Sequence, residues 1–152
     1  MTNKNKKVYY SIIDVAAQPR LTLRMQHVLN HDMAHRLNGE IAYYATEDPE
    51  TTASQKITKS MLHENLQVDG FIFLQMRQFC YGPTFNFKLL KEFIENGYEV
   101  YFTREAVSIL DMDDLEQKKE LLYIFFKTYG EDRNDPFLKS FVRAAASSPI
   151  AP

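Results

Sequence analysis

Apolar and polar positions along the chain alternate between two periods. Residues 7–14 (KVYYSIID) are β-rich and largely apolar, the pattern of a strand covered on both faces. Pro19 opens a helical stretch over 19–37, with Leu21, Met25, Val28 and Leu29 on one face. Asn38-Gly39 ends it. Residues 40–46 (EIAYYAT) read as a second strand, broken by Asp48-Pro49, and a helix is predicted over 52–66. Val68-Asp69-Gly70 turns into a third strand over 71–75, followed by a loop over 77–83 and a helix over 84–96. Residues 98–103 (YEVYFT) form the fourth strand, and Asp111 or Asp113 caps a last helix reaching Tyr129.

Strands alternating with helices of this length imply βαβ units and parallel pairing. The expected fold is a three-layer α/β/α sandwich of flavodoxin or resolvase type. Its sheet has four parallel strands in the order 2-1-3-4. Residues 1–130 make up this one domain. Residues 131–152 are a C-terminal extension, in which Asp135-Pro136 starts a short amphipathic helix carrying Phe137, Leu138, Phe141 and Val142. The chain end is expected to be disordered.

A length of 152 residues suits a single domain, and 45% hydrophobic with 25% charged residues is an ordinary globular balance. A net charge of -2 lacks the basic footprint that nucleic-acid binding needs. The local cluster Lys4, Lys6 and Lys7 reads as a solvated tail. Cys80 is the single cysteine, so no intrachain disulfide and no CxxC motif exist. No apolar run is long enough for a membrane span, and the N-terminus lacks a signal-peptide core. The cytosol is the expected compartment.

In an open parallel sheet, ligands bind beyond the carboxyl ends of the strands. Strand one brings Asp14 there, strand two Glu47, strand three Gln75, Arg77 and Gln78, and strand four Arg104 and Glu105. Glu47 and Glu105 suit acid/base work or hydroxyl binding. Asp14, Arg77, Gln78 and Arg104 suit the binding of a small polar or anionic ligand. The same residues also suit a structural ion-pair network.

Other candidates carry less. His27, His31 and His35 share one helix face, but the first and third are about 12 Å apart at ~1.5 Å rise per residue, so one ion cannot take all three. They are expected to be solvated, and no metal site is assigned. Cys80, near Arg77 and the start of the next helix, is expected to be a half-buried bystander rather than a nucleophile. Val15 to Pro19 replaces any GxGxxG after strand one, so no nucleotide cofactor is expected, and GxSxG and HExxH are absent. The last helix is apolar around much of its circumference: Leu115, Leu122, Phe125, Phe126 and Tyr129 form one stripe, and Leu121 and Ile124 lie outside it. A homo-oligomer through the 113–129 helix is the expectation, with residues 137–142 folding back over it as the alternative.

Several short phrases, in order, resemble a bacterial family known as sporadic carbohydrate cluster proteins. They are Gln26 and Asp32, Ala45-Thr46-Glu47, Val68 through Phe73, Gln78-Phe79, Gly97 through Phe102, and Glu105 with Val107-Ser108-Ile109. The resemblance covers roughly residues 8–126. It implies a setting in surface-polysaccharide biosynthesis, and it assigns no activity. The family's Gly-Tyr-Ile-Ser-Ser-Arg-like start is replaced here by Tyr9-Tyr10-Ser11-Ile12-Ile13-Asp14. The element order also resembles the catalytic domain of serine recombinases, with the Asp69-Gly70 strand leading to Arg77 and the phrase Phe102-Thr103-Arg104-Glu105 carrying the likeness. That family's nucleophilic serine at the end of strand one is replaced by Ile12-Ile13-Asp14, so the resemblance implies at most an inactive relative.

Overall fold

A computed structural model describes residues 6–17, 21–47, 56–64, 66–81 and 84–129. Five strands form the main sheet: β1 (Lys7–Asp14), β2 (Gly39–Glu47), β3 (Gly70–Phe73), β6 (Glu99–Phe102) and β7 (Val107–Ile109). A separate two-residue hairpin, β4 (Cys80–Tyr81) and β5 (Thr84–Phe85), follows β3. The described helices are α1 (Leu23–Arg36), α2 (Lys56–His63), α3 (Phe87–Glu95) and α4 (Met112–Tyr129).

The sheet order is β2-β1-β3-β6-β7. The first four strands pair in parallel, in the order expected. The fifth, β7, is a correction to the expected four: it runs antiparallel to β6, placing Phe102 opposite Val107. Ala106, at φ 54°, makes the reversal. Three residues are too few for a two-residue period to stand out. The expected loop over 77–83 also holds structure, a 3₁₀ turn at Met76–Phe79 and the hairpin strand at Cys80–Tyr81.

Alternation along the strands builds the two larger of three apolar clusters among the described residues. Tyr10 and Ile12, Phe71 and Phe73, and Val100 and Phe102 point to one face, against Leu62 of α2, Leu89, Leu90 and Phe93 of α3, and Leu115 and Leu122 of α4. Phe73 lies 4.7 Å from Phe79 and 5.9 Å from Phe93, ring centre to ring centre. Tyr9, Ile72 and Tyr101 point to the other face, against Ala34, Met33 and Leu37 of α1. The result is an α/β/α sandwich with one described helix on one face and three on the other. Gly70 has no room for a side chain: a Cβ there would lie 2.5 Å from the Glu99 carbonyl oxygen. Gly97, at φ 88°, makes the turn from α3 into β6.

The inward face of α1 differs from expectation. Its buried residues are Gln26, Asn30 and Ala34, while Val28 is exposed. Of the expected stripe, Leu21 is buried and Met25 and Leu29 pack with it against Ala17 and Leu74, while Gln26 and Asn30 meet the strands through hydrogen bonds. Among the described residues, no helix is long and apolar enough to cross a membrane. Lys4, Pro19, Asp48-Pro49, residues 52–55 and the 131–152 extension lie outside the described residues.

Candidate functional site

Ile12, Phe73 and Phe102 sit level across β1, β3 and β6. Backbone bonds carry the ladder past them: Leu74 N to Ile12 O at 3.3 Å, Thr103 N to Phe73 O at 2.9 Å, and Arg104 N to Leu74 O at 2.8 Å. Two residues beyond each level position stand Asp14, Gln75 and Arg104. All three are buried.

A continuous polar chain links them. Gln75 Nε2 donates to Asp14 Oδ2 at 3.5 Å, and Arg104 Nη1 donates to Gln75 Oε1 at 3.1 Å. Arg104 Nη1 also lies 3.8 Å from Glu105 Oε2. Glu105 Oε1 accepts from Met76 N at 3.0 Å, which returns the chain to the 3₁₀ turn after β3. Gln78 braces the 3₁₀ turn below: its Oε1 accepts from Gln75 N at 3.1 Å and its Nε2 donates to Ile12 O at 3.0 Å. Of the expected site residues, Asp14, Gln78, Arg104 and Glu105 therefore gather in one neighbourhood.

Glu47 and Arg77 stand differently. The Glu47 carboxylate is fully buried and accepts from Ile57 N at 3.0 Å, Thr58 N at 3.1 Å and Thr58 Oγ1 at 3.0 Å. It anchors the first turn of α2, where the helix's exposed N–H groups and positive end favour a carboxylate. Arg77 is exposed on the 3₁₀ turn. Burial pushes the neighbouring Cys80 thiol up to about 12, against the lowering effect of Arg77. The thiol is protonated at neutral pH, as a bystander would be.

Gln26 clamps the end of β1. Its Oε1 accepts from Asp14 N and its Nε2 donates to Asp14 O, both at 2.9 Å, and Nε2 also donates to Leu21 O at 2.9 Å. One helical turn on, Asn30 Nδ2 donates to Ser11 Oγ at 2.9 Å and Ile72 O at 3.1 Å, while Asn30 Oδ1 accepts from Thr103 Oγ1 at 2.7 Å. Ser11 Oγ lies 3.1 Å from His27 Nδ1. Burial lowers the His27 pKa, and which of the two groups donates follows the ring's tautomer. His27 also meets Tyr44 edge-on at 4.9 Å. It is half-buried, which corrects the expectation that the helix-one histidines are simply solvated. Among the described residues, no group of His, Cys, Asp or Glu is arranged to hold a metal.

Gln75 is the central link, yet it was not among the residues singled out as ligand-binding. Gln26, Asn30, Ser11 and Thr103 were also passed over as support. The i, i+4 spacing of Gln26 and Asn30, continued by Ala34, is the signal that could have found them. Comparison with known proteins finds no matching family model, and no curated protein matches the chain.

Proposed function

We propose that the chain binds a small, hydroxyl-rich, anionic metabolite, such as a sugar phosphate or nucleotide sugar, beyond the strand ends of β1, β3 and β6. In this reading it serves surface-carbohydrate biosynthesis, the setting its family resemblance implies. The observation that supports it is the convergence of Asp14, Gln75, Arg104 and Glu105 on one strand-end neighbourhood. Carboxylates there accept from sugar hydroxyls, and guanidinium groups of Arg104 and Arg77 donate to phosphate. Glu105 is the candidate acid/base, with Gln78 holding the turn that carries Arg77. Buried polar networks are costly unless fully engaged, which makes a cluster of this kind a candidate for a role beyond folding.

The test is a thermal-shift and calorimetric panel of sugar phosphates and nucleoside-diphosphate sugars on the purified chain. A stabilising member is expected; a panel with no binder overturns the reading. Glu47→Gln divides the two roles for that residue. Lost activity at unchanged melting temperature assigns it chemistry, and lost stability assigns it the anchoring of α2.

A second reading, a non-catalytic oligomeric interaction module, is favoured by the outer face of α4. Leu121, Tyr123 and Ile124 are exposed there, Ile124 by 62%. It expects self-association that Ile124→Lys weakens, measured by gel filtration with light scattering. A strict monomer removes it.

A further inference from the structure

His27 and His31 stand four positions apart on α1, a rise of about 6 Å, which sets both imidazoles on one side of the helix. Both rings rest on the same residue of β2. Tyr44 meets His27 edge-on at 4.9 Å and lies nearly parallel to His31, at 21° and 6.4 Å. His31 is exposed, so its ring can turn at little cost, while His27 is half-buried. His35, one turn further on, is exposed.

The two nitrogens of His27 are not equivalent. Nδ1 lies 3.1 Å from Ser11 Oγ. Ser11 is fully buried, and its Oγ accepts from Asn30 Nδ2 at 2.9 Å. Asn30 is itself fixed to Ile72 O and Thr103 Oγ1. A hydroxyl oxygen has two lone pairs, so Ser11 has room for a second donor, the Nδ1–H of the neutral ring. In that tautomer Nε2 carries the free lone pair and is turned away from the strand. A hydrogen bond from the far ring nitrogen into the protein is how ligating histidines are oriented. Burial also disfavours the charged ring, which keeps the imidazole in the neutral form that a metal requires.

We propose that Nε2 of His27 and Nε2 of His31 chelate one divalent transition-metal ion beside Tyr44, with water completing its coordination. An i, i+4 pair of histidines on a helix is the spacing that brings two imidazoles to one ion. The two rings are the whole protein share. Asp32 is engaged with Arg36 at 2.9 Å, and among the described residues no group of three or more His, Cys, Asp or Glu gathers to hold an ion. The site is therefore open and exchangeable, unlike a structural centre closed by four protein ligands. Imidazole favours copper(II), nickel(II) and zinc(II), whereas magnesium and calcium take oxygen ligands. Copper(II) should bind tightest. This inference does not rest on the ligand-binding reading.

The test is calorimetric titration of the full chain with nickel(II) and zinc(II) chlorides, as wild type, His31→Ala and His35→Ala. Both histidines are exposed, so neither change should disturb the fold. Wild type and His35→Ala are expected to bind a single ion with equal affinity. In His31→Ala the affinity should fall by more than about tenfold, the low end of what changes in the outer shell alone cost. Copper(II) in small amounts supplies a second readout: the ring-proton resonances of His27, His31 and Tyr44 should broaden before those of His35 and His63. No binding by wild type overturns the inference. So does unchanged affinity in His31→Ala, an equal loss in His35→Ala, or broadening that reaches His35 or His63 first.

Discussion

Arg104 donates through Nη1 to Gln75 Oε1 at 3.1 Å, and this one hydrogen bond joins the ends of β6 and β3. Both side chains are buried. Gln75 passes the link on to Asp14, so its amide serves an acid and a base at once. Removing it leaves buried polar groups short of a partner. Gln75→Leu is expected to destabilise the domain by about 1–3 kcal/mol, read as a lower urea midpoint at unchanged slope. Combined with Arg104→Met, the loss should fall short of the sum of the single losses, because the two residues share one network. Strict additivity would mean that the pair is not coupled.

Glu47 holds α2 through three hydrogen bonds to Ile57 and Thr58. Glu47→Ala is expected to cost about 1–3 kcal/mol. Amide exchange at Ile57 and Thr58 should rise more than at β1 or β3. A variant as stable as wild type, with α2 amides still protected, would contradict that anchoring role.

The fold was largely legible in the sequence because β1, β2, β3 and β6 read as apolar or β-rich runs separated by helical periods, which fixes parallel pairing. β7 was not legible, since Val107-Ser108-Ile109 is shorter than the pattern that would reveal it. The strand-end residues Asp14, Arg104 and Glu105 could be placed from strand order alone. The polar part of α1's inward face could not: Gln26 and Asn30 are buried because backbone atoms of Asp14, Leu21 and Ile72 and the hydroxyls of Ser11 and Thr103 bond them. Glu47 was placed at the correct strand end, but its bonds to Ile57 and Thr58 of α2 join residues ten and eleven positions on, which no pattern in the sequence pairs.

His27 sets an acid limit. Its pKa lies below the ordinary 6.5 because burial disfavours the charged ring. The unfolded chain therefore binds the proton more readily than the folded one. Stability should be fully present above about pH 6.5 and fall as pH drops below it. His27→Gln should flatten this part of the stability–pH curve; an unchanged slope would contradict the assignment.

Tyr9 and Tyr101 set an alkaline limit. Burial, reinforced by the nearby Glu99 carboxylate that accepts from both hydroxyls, pushes Tyr9 up to about 12 and raises Tyr101 as well. The folded state disfavours the phenolates, so this stabilisation is present below pH 10 and is lost as pH rises toward about 12. Ultraviolet titration of the phenolates should show a late-titrating group that appears together with unfolding. Smooth titration of all tyrosines near pH 10 would contradict this.

The most direct measurement of the ligand-binding account uses Arg77→Ala. Arg77 is exposed, so its removal should leave the melting temperature unchanged, while the buried residues cannot be altered without disturbing the fold. Calorimetric titration of wild type and variant with the tightest-binding nucleoside-diphosphate sugar or sugar phosphate is the comparison. The account predicts a Kd at least about tenfold weaker in the variant, the loss of roughly 1.4 kcal/mol expected for a charge-assisted phosphate contact. Equal affinity in the two proteins, or no binding by wild type, would contradict it.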